Sequence, residues 1–362
     1  MAKTAFDPAA LLAACHRLSG ALPGLGGLTP ADLALLRPKG TSNDHIRLGT
    51  DGTPGGAYVA RIPRFSHGGL DPATNLARQE AAFSRAAMSG HTPRLHAVLP
   101  IAVGLPGGAL IVDHIAGRAP HLPADMAAIA TALAALHALP VPPPDARAPL
   151  TRAVDPLTAT LAAIEQHAVC LDDIDADGAG VDPAVRAGID AELAWARGFN
   201  TGSLPAPPPR FVGADTHPGN FLIDAAGRAW FTDLEKAQYG AVPIDLAHAS
   251  LPTSTGWDPD VAGTLDAAAV VAFHAEWRRH ADPALAAACA PWWRPLRRLT
   301  WLRTMTFFAR WRTDWSRNPA AGQRDPAMDR HITAHIAACF APAAVAAVRR
   351  QWLGPEALDL AG

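Results

Sequence analysis

Residues 211–247 read FVGADTHPGNFLIDAAGRAWFTDLEKAQYGAVPIDLA, and this stretch decides how the chain is interpreted. Asp215 and Asn220 lie in one predicted loop, after which two short apolar runs separated by a glycine-containing turn lead to Asp233. The two runs predict a β-hairpin that returns Asp233 towards the first two side chains. Phosphoryl transfer from a nucleotide needs a carboxylate beside the attacking hydroxyl, and an amide oxygen and a second carboxylate on Mg²⁺. The stretch therefore predicts a phosphotransferase site.

Length and composition narrow the class of protein. A chain of 362 residues suggests roughly two domains or lobes. A hydrophobic fraction of 49% and a charged fraction of 18% argue against intrinsic disorder. The net charge of −2 lacks the basic bias of nucleic-acid-binding proteins. The four cysteines stand far apart, without the paired spacing of a zinc or redox motif, so we expect reduced thiols.

Two apolar stretches resemble membrane signals without meeting their requirements. Residues 12–15 resemble a lipoprotein cleavage box, but Asp7 and Pro8 leave too short an apolar region before it. Residues 127–141 are interrupted by Pro140 and are shorter than the roughly 20 residues that a spanning helix needs. The sequence therefore predicts a cytoplasmic protein with neither a membrane nor a nucleic acid as partner.

The predicted elements divide the chain into a small α+β part and a helical part. Before residue 113 we expect short helices over 8–19 and 30–36, a hairpin of Ile46–Thr50 with Ala57–Ile62, a helix over Asn75–Ser89, and a second hairpin of Leu95–Val103 with Ala109–Val112. After Gly117 we expect helices over Met126–Leu139, 154–169 and 183–199, and almost continuous helix from Ile244 onward.

Three features of the N-terminal part gain meaning only together with the catalytic stretch. Small residues from Lys39 to Asn43 precede the first hairpin and would let backbone N–H groups approach phosphate oxygens. Arg61 lies among apolar residues of a strand, where a cation needs a partner, and Glu80 in the next helix is a candidate. Taken singly, a surface turn and two solvated charges explain these residues better.

Taken together, these segments resemble one family, the aminoglycoside phosphotransferase and choline kinase-like enzymes, which are relatives of the protein kinases. The resemblance covers about residues 30–250, and the catalytic stretch is its most specific part. The segments that carry it are Gly40–Asn43, Tyr58–Pro63, Arg78–Glu80, Leu133–His137, Asp215–Asn220 and Asp233 onward to Asp245–Ala247.

The resemblance implies an α+β, two-lobed, protein-kinase-like fold that binds ATP and Mg²⁺. Residues 1–112 would be a small antiparallel-sheet N-terminal lobe that binds the nucleotide, 113–118 a hinge, and 119–362 a mainly helical C-terminal lobe with the catalytic loop and the substrate site. The implied product is a phosphorylated hydroxyl group on a small molecule. A protein kinase is disfavoured, because residues 233–245 leave no room for a long activation segment.

The resemblance also assigns roles to individual residues. Asp215 would orient or deprotonate the substrate hydroxyl, and Asn220 and Asp233 would hold Mg²⁺. Asp245 would brace the catalytic loop from the following helix. The residues implied in nucleotide binding are Gly40, Thr41 and Ser42 in the phosphate loop, Arg61 on the phosphates with Glu80 as its anchor, and Asp113 and Ile115 in the hinge that reads the adenine edge.

The chain departs from the family pattern at one place. The family usually has His-Gly before the catalytic aspartate, whereas this chain has Gly213-Ala214. Because that histidine mainly supports backbone geometry, we expect altered loop packing and retained chemistry. The alternative is a catalytically inactive relative that binds nucleotide and acts through partner contacts, although such a protein has no need of Asp215.

The nature of the acceptor has two open interpretations. Four aspartates at 172, 173, 175 and 177, with Glu192 and several tryptophans downstream, would attract a small hydroxylated amine. Alternatively, the aspartates form an ordinary solvated loop, and the tryptophans, with Trp301, Met305 and Phe308 at helical spacing, form a core stripe.

Overall fold

A computed structural model describes residues 6–36, 42–66, 69–150, 156–176, 180–199, 204–317 and 326–361. The chain forms two compact units. The first contains Met1–Arg118, Pro142–Leu150 and Leu222–Ala237, and the second contains Ala119–Val141, Thr151–Phe221 and Gln238–Gly362. The first unit therefore contains segments that follow its main part in the sequence.

The first unit is built on a five-stranded antiparallel sheet with the strand order β1-β2-β3-β5-β4. Its strands are β1 Leu33–Leu35, β2 Asn43–Leu48, β3 Tyr58–Pro63, β4 Leu95–Leu99 and β5 Ala109–Asp113. Helix α1, Pro8–Arg17, contributes Leu11 and Cys15 to a core that includes Ile46 and Ala60 of the sheet. Both predicted hairpins are present, with β2 on β3 and β4 on β5.

Helix α2, Pro72–Ala86, follows the first hairpin as the sequence predicts. Asp71 caps it, because its side chain accepts a hydrogen bond from the Thr74 N–H, and Pro72 occupies the first turn, where no N–H is needed. The buried face repeats every three or four residues, as in an amphipathic helix. This face consists of Asn75, Leu76, Gln79, Ala82, Phe83 and Ala86.

The predicted helix over 30–36 is wrong. Pro30–Asp32 form a single 3₁₀ turn and Leu33–Leu35 form strand β1, with Leu33 opposite Leu48 and Leu35 opposite Ile46. The Leu-Ala-Leu composition favours helix locally, but pairing with the edge of β2 satisfies the backbone there and overrides that preference.

The second unit is predominantly helical, as predicted. Its helices are α3 Met126–His137, α4 Pro156–Ala168, α5 Cys170–Ala176, α6 Pro183–Gly198, α7 Val242–Ser250, α8 Pro252–Thr255, α9 Ala267–His280, α10 Pro283–Cys289, α11 Trp293–Arg317, α12 Pro326–Cys339 and α13 Pro342–Arg350. Helix α11 lies in the core, where Trp301, Met305 and Phe308 are at most 1% exposed. The predicted core stripe is confirmed.

In the described ranges, no single helix has both the length and the apolar composition to cross a membrane. One bent pair, α12 with α13 at 65°, meets the length and composition criteria when the two helices are combined.

The catalytic stretch folds as strand, loop, hairpin and helix. In the second unit β7, Arg210–Val212, pairs with β10, Gln238–Gly240. In the first unit β6, Gly117–Arg118, pairs with β8, Phe221–Asp224, and β8 pairs with β9, Ala229–Phe231. Gly227 closes the β8–β9 turn with φ of 78°, a conformation that glycine adopts without steric cost.

Candidate active site

Asp245 of α7 holds the backbone of the catalytic loop. Its Oδ2 accepts a hydrogen bond from Gly213 N at 2.7 Å, and its Oδ1 accepts one from Ala214 N at 2.8 Å. The Thr216 hydroxyl donates to the Asp245 carbonyl oxygen at 2.7 Å. All of these groups are buried, so each bond satisfies a group that would be costly to leave unpaired. The predicted bracing role of Asp245 is confirmed.

A buried histidine and a buried tryptophan extend this support. His137 of α3 lies with Nε2 at 3.1 Å from Asp245 Oδ2, and Trp277 of α9 donates from Nε1 to His137 Nδ1 at 3.0 Å. Because an indole N–H only donates, His137 Nδ1 is the acceptor and its Nε2 carries the proton towards Asp245. The three side chains are completely buried, and they connect three helices to the backbone that precedes Asp215.

Ala214 has left-handed backbone geometry, with φ of 58°. Side chains with a Cβ rarely adopt this region, whereas glycine, which the family pattern has here, adopts it freely. The N–H of Ala214 donates to Asp245, and this bond helps to hold the conformation. The departure Gly213-Ala214 thus keeps a glycine-like backbone with an alanine side chain.

Asp215 and Asn220 meet at the end of the loop. Asn220 Nδ2 donates to the Asp215 carbonyl oxygen at 2.7 Å, which fixes the spacing of the two residues. His248 of α7 places Nε2 at 3.7 Å from Asp215 Oδ1, and the side chains of Asp215 and His248 are 16% and 12% exposed. His248 follows Asp245 by three residues, so both face the loop from one side of the helix. The sequence interpretation missed His248, although this spacing would have indicated it.

In the first unit Arg61 of β3 binds Asp233. The guanidinium of Arg61 is 2% exposed and pairs with the Asp233 carboxylate, and it also donates to the Thr232 carbonyl oxygen at 3.3 Å. Glu235 lies 3.9 Å away, measured from Arg61 Nη2 to its Oε2. Arg61 and Asp233, which the sequence assigned separately to phosphate and metal, are thus direct partners.

The helix partner of Arg61 is Gln79, and the predicted Glu80 anchor is wrong. Arg61 Nε donates to Gln79 Oε1 at 3.2 Å, whereas the Glu80 side chain is exposed. Adjacent helix residues point about 100° apart, so only one of them faces the sheet. Gln79 shares a face with Asn75 and Phe83, and that periodicity was the signal that could have identified it.

His45 of β2 completes the surroundings of Arg61. Arg61 Nη1 lies 3.0 Å from His45 Nε2, so the guanidinium donates and the imidazole nitrogen accepts. Burial, reinforced by the charge of Arg61 and opposed by Asp233, lowers the pKa of His45 to about 3. His45 is therefore neutral near pH 7, and the site gains no second cation from it.

The other predicted nucleotide-binding residues have different surroundings. Gly40 and Thr41 lie outside the described residues, and the Ser42 carbonyl oxygen accepts a hydrogen bond from Arg64 N at 2.8 Å. Asp113 at the end of β5 accepts hydrogen bonds from Arg94 N at 2.9 Å and contacts His96 Nε2 at 2.6 Å. Ile115 is half-buried in the segment between β5 and β6.

The features predicted to attract a cationic acceptor are occupied by other contacts. Asp172 pairs with Arg186 at 2.7 Å. Glu192 of α6 is completely buried and pairs with Arg298 and, at 2.9 Å, with Arg349. The side chains of Asp175 and Asp177 lie outside the described residues, and the tryptophans Trp292, Trp293 and Trp301 are at most 3% exposed.

Comparisons with known proteins identify the family to which the chain belongs. The model of the phosphotransferase enzyme family matches residues 34–283. A candidate aminoglycoside phosphotransferase from Ralstonia eutropha superposes with a TM-score of 0.60 at 15% identity, covering 95% of this chain and 99% of that one. Choline kinase from Cryptosporidium parvum gives a TM-score of 0.55 at 13% identity, covering 91% and 95%. The GDP complex of an aminoglycoside 2'-phosphotransferase gives 0.54 at 13% identity, covering 88% and 94%.

These structural matches show an α+β, protein-kinase-like fold with a small antiparallel sheet and a helical C-terminal part. No curated protein matches the chain. The family match covers more than half of the chain, so the chain belongs to the phosphotransferase enzyme family, and it is a kinase-type phosphotransferase.

Proposed function

We propose that the chain transfers the γ-phosphoryl group of ATP to a hydroxyl group of a small molecule, with Asp215 as the catalytic base. The observation that carries this proposal is the fixed backbone around Asp215, which is held by Asp245 on one side and by Asn220 on the other. Phosphoryl transfer depends mainly on positioning and electrostatics, so a rigidly held carboxylate is the feature to expect. The GDP complex of a structurally similar phosphotransferase supports the use of a nucleotide.

Asn220 and Asp233 are the proposed Mg²⁺ ligands. Their amide and carboxylate oxygens suit a cation that takes oxygen ligands and is held in such enzymes by one or two carboxylates plus substrate phosphates. When bound, Mg²⁺ neutralises the charge that develops on the phosphates.

Arg61 is the proposed phosphate-binding cation. It is buried and already positioned by Gln79 and Asp233, so it reaches the phosphates without losing side-chain freedom on binding. During transfer, Asp215 accepts the proton of the acceptor hydroxyl, and the oxygen of that hydroxyl forms a bond to the γ-phosphorus. The bond from the γ-phosphorus to the bridging oxygen breaks, and ADP leaves.

The test separates the base from the metal ligand. Asp215→Asn keeps the shape of the side chain and removes the carboxylate, so transfer should fall by about 100-fold or more while the affinity for Mg²⁺-ATP changes by less than about 3-fold. Asp233→Ala should instead weaken Mg²⁺-ATP binding itself. Calorimetry gives the nucleotide affinity, and ADP release with a panel of hydroxylated metabolites and antibiotics gives transfer. Near-normal turnover of Asp215→Asn on any accepted substrate would disprove the assignment of Asp215.

An inactive relative would behave differently in the same assay. It would bind Mg²⁺-ATP and release no ADP with any acceptor, and Asp215→Asn would then change nothing. Gly213→His, which restores the residue usual in the family, should alter stability or loop mobility and leave turnover per active molecule little changed. A large rise in turnover from an almost inactive parent would favour the inactive relative.

A further inference from the structure

Arg303 of α11 has no ionic partner in the described part of the second unit. Its side chain is half-buried, and no described carboxylate lies within ion-pair distance of its guanidinium. Burial lowers the pKa of Arg303, and the charge of nearby Asp215 opposes that shift. A desolvated cation without a partner costs stability, so its presence calls for an explanation.

The neighbouring arginines and carboxylates are already paired. On the same helix Arg298 binds Glu192, and Arg310 pairs with Asp314 at 3.3 Å. On the helices packed against α11, three carboxylates have other partners. Asp245 accepts the two loop N–H groups, Glu165 binds Arg197 at 2.7 Å, and Asp172 binds Arg186 at 2.7 Å. Asp215 acts on Arg303 from beyond ion-pair distance, so the anionic group of a ligand would supply a direct counter-ion.

A cavity joins Arg303 to the catalytic loop. It has a volume of about 90 Å³ and lies against Ala214, the residue before Asp215. Thr160 of α4 and Gln238 of β10 add polar groups to a lining that is otherwise largely apolar. Its volume is several times what one water molecule requires, and a guanidinium beside an amide and a hydroxyl suits the oxygens of a small anion.

We propose that the acceptor is a small hydroxylated carboxylate, whose anionic group binds Arg303 in this cavity while its hydroxyl reaches Asp215. This inference rests on the proposed function and adds the charge of the substrate. The charge of Arg303 would repel an acceptor that carries a cationic group. Asp172 and Glu192, two of the carboxylates predicted to attract such an acceptor, are paired with arginines. Arg303 is a specificity-determining residue in this scheme and takes no part in the chemical step.

The first experiment measures binding. Calorimetry with 3-hydroxybutanoate, 4-hydroxybutanoate and 6-hydroxyhexanoate, each compared with its uncharged amide, is carried out in the presence of Mg²⁺ and a non-hydrolysable ATP analogue. Ethanolamine and choline provide the cationic arm, and glycerol 3-phosphate tests whether a phosphate ester replaces the carboxylate. At least one hydroxycarboxylate should bind the parent about 10–100-fold more tightly than its amide, the range expected of a charge-assisted hydrogen bond.

Variants assign the difference to Arg303. Arg303→Gln should remove the preference for the carboxylate and leave the affinity of the amide within about 3-fold, and Arg303→Lys should restore part of the preference. The control is Arg310→Gln on the same helix, whose exposed side chain pairs with Asp314, and its binding should match that of the parent. Arg303→Gln should also melt no lower than the parent, since it removes a half-buried charge that lacks a direct ionic partner among the described residues.

Each outcome decides the inference. Failure of every hydroxycarboxylate to bind, tighter binding of amines or amides, or a carboxylate preference that survives in Arg303→Gln would overturn it. Tighter binding of glycerol 3-phosphate, lost in Arg303→Gln, would keep the anion site and replace the carboxylate with a phosphate ester. If a neutral or cationic acceptor is phosphorylated in a manner that requires Asp215, the proposed function stands and the anion site fails. If anions bind through Arg303 and no ADP is released, the anion site stands and the proposed function fails.

Discussion

At the scale of single residues, the left-handed conformation of Ala214 should affect the free energy of unfolding. Ala214→Gly should relieve about 1–2 kcal/mol of steric cost and lose about 0.5–1 kcal/mol to the greater freedom of glycine in the unfolded chain. The free energy of unfolding should therefore stay equal or rise slightly. Ala132→Gly is the control, since Ala132 is also buried but lies in the interior of helix α3, and it should destabilise the protein. Equal losses in the two variants in urea denaturation would contradict the assignment of strain to Ala214.

The buried side chain of His274 should make the stability of the protein depend on pH. It is 1% exposed, and neither of its ring nitrogens has a hydrogen-bond partner in the part of the chain that the structure describes. Burial, with added repulsion from Arg297 and Arg278, lowers the pKa of His274 well below its usual value. In the unfolded chain this histidine takes up a proton below about pH 6.5, and in the folded chain it does not. Its contribution is therefore complete above that pH and is lost on acidification.

The corresponding experiment compares urea denaturation from pH 8 to pH 5. The free energy of unfolding of the parent should fall below about pH 6.5, with up to about 1.4 kcal/mol per pH unit due to this histidine. His274→Leu should show a shallower fall. His280→Gln, at the exposed end of the same helix, should follow the parent. Parallel curves for the parent and His274→Leu would contradict this account.

Single residues also show the limits of sequence reading. The bracing role of Asp245 was predictable from the resemblance, because the position of Asp245 after the hairpin is a local sequence feature. The hydrogen bonds to Gly213 N and Ala214 N confirm this role. Whether Gln79 or Glu80 binds Arg61 depends on which side of α2 faces the sheet. The prediction selected Glu80 because a carboxylate is the usual partner of a guanidinium, whereas the structure has Gln79 in that position. Arg303 and His274 carried no signal at all, since their state depends on which groups tertiary folding places around them.

At the scale of elements, the contact from Trp277 to His137 ties α9 to α3 and thereby to the catalytic loop. Trp277→Phe removes the only donor seen for His137 Nδ1 in the described residues and leaves that buried nitrogen unsatisfied, which should cost about 1–3 kcal/mol beyond the change in size. Trp293→Phe is the control, because Trp293 is equally buried and its Nε1 has no hydrogen-bond partner in the described ranges. Thermal and urea denaturation should show the larger loss for Trp277→Phe. Equal losses would mean that only packing matters there.

Helices and hairpins with clear periodicity were predictable from the sequence, and short segments were not. Helices α3 and α6 were predicted within two residues at each end, because apolar spacing and flanking prolines mark them. Strand β1 has three residues, too few to show an alternating pattern, and its identity comes from pairing with β2. Asp113 ends β5, and its carboxylate accepts a hydrogen bond from Arg94 N and contacts His96, two long-range contacts that the sequence did not indicate.

At the scale of the whole molecule, the buried thiols report on global folding. Burial raises the pKa of Cys15 to about 11 and those of Cys289 and Cys339 to about 12, so these thiols stay protonated near pH 8. A chromogenic thiol reagent at pH 8 should therefore titrate at most one cysteine quickly in the native protein and all four in denaturant. We expect the fast thiol to be Cys170, and Cys170→Ser should remove the fast phase. Rapid reaction of three or four thiols without denaturant would show that the core opens readily.

The overall architecture was predictable because the catalytic stretch belongs to a known family and the helical composition after Gly117 is pronounced. The compact units were harder to predict. The sequence-based prediction has a single hinge at residues 113–118 and assigns all residues after it to the C-terminal lobe. The structure assigns Leu222–Ala237 to the first unit, because β8 pairs with β6 and Asp233 binds Arg61. Such long-range pairing leaves no local mark in a single sequence.

That discontinuity has a consequence for the order of events on the ribosome. The segment that carries Asp233 is synthesised more than 100 residues after Arg118, the end of the main part of its unit. While the intervening residues are being translated, β6 lacks its partner β8, and Arg61 lacks the carboxylate that neutralises it. The first unit can reach its native form only after residue 237 has left the exit tunnel. A nascent chain paused before residue 222 should therefore recruit chaperones, and a gene fragment ending at Arg118 should not yield a stable product.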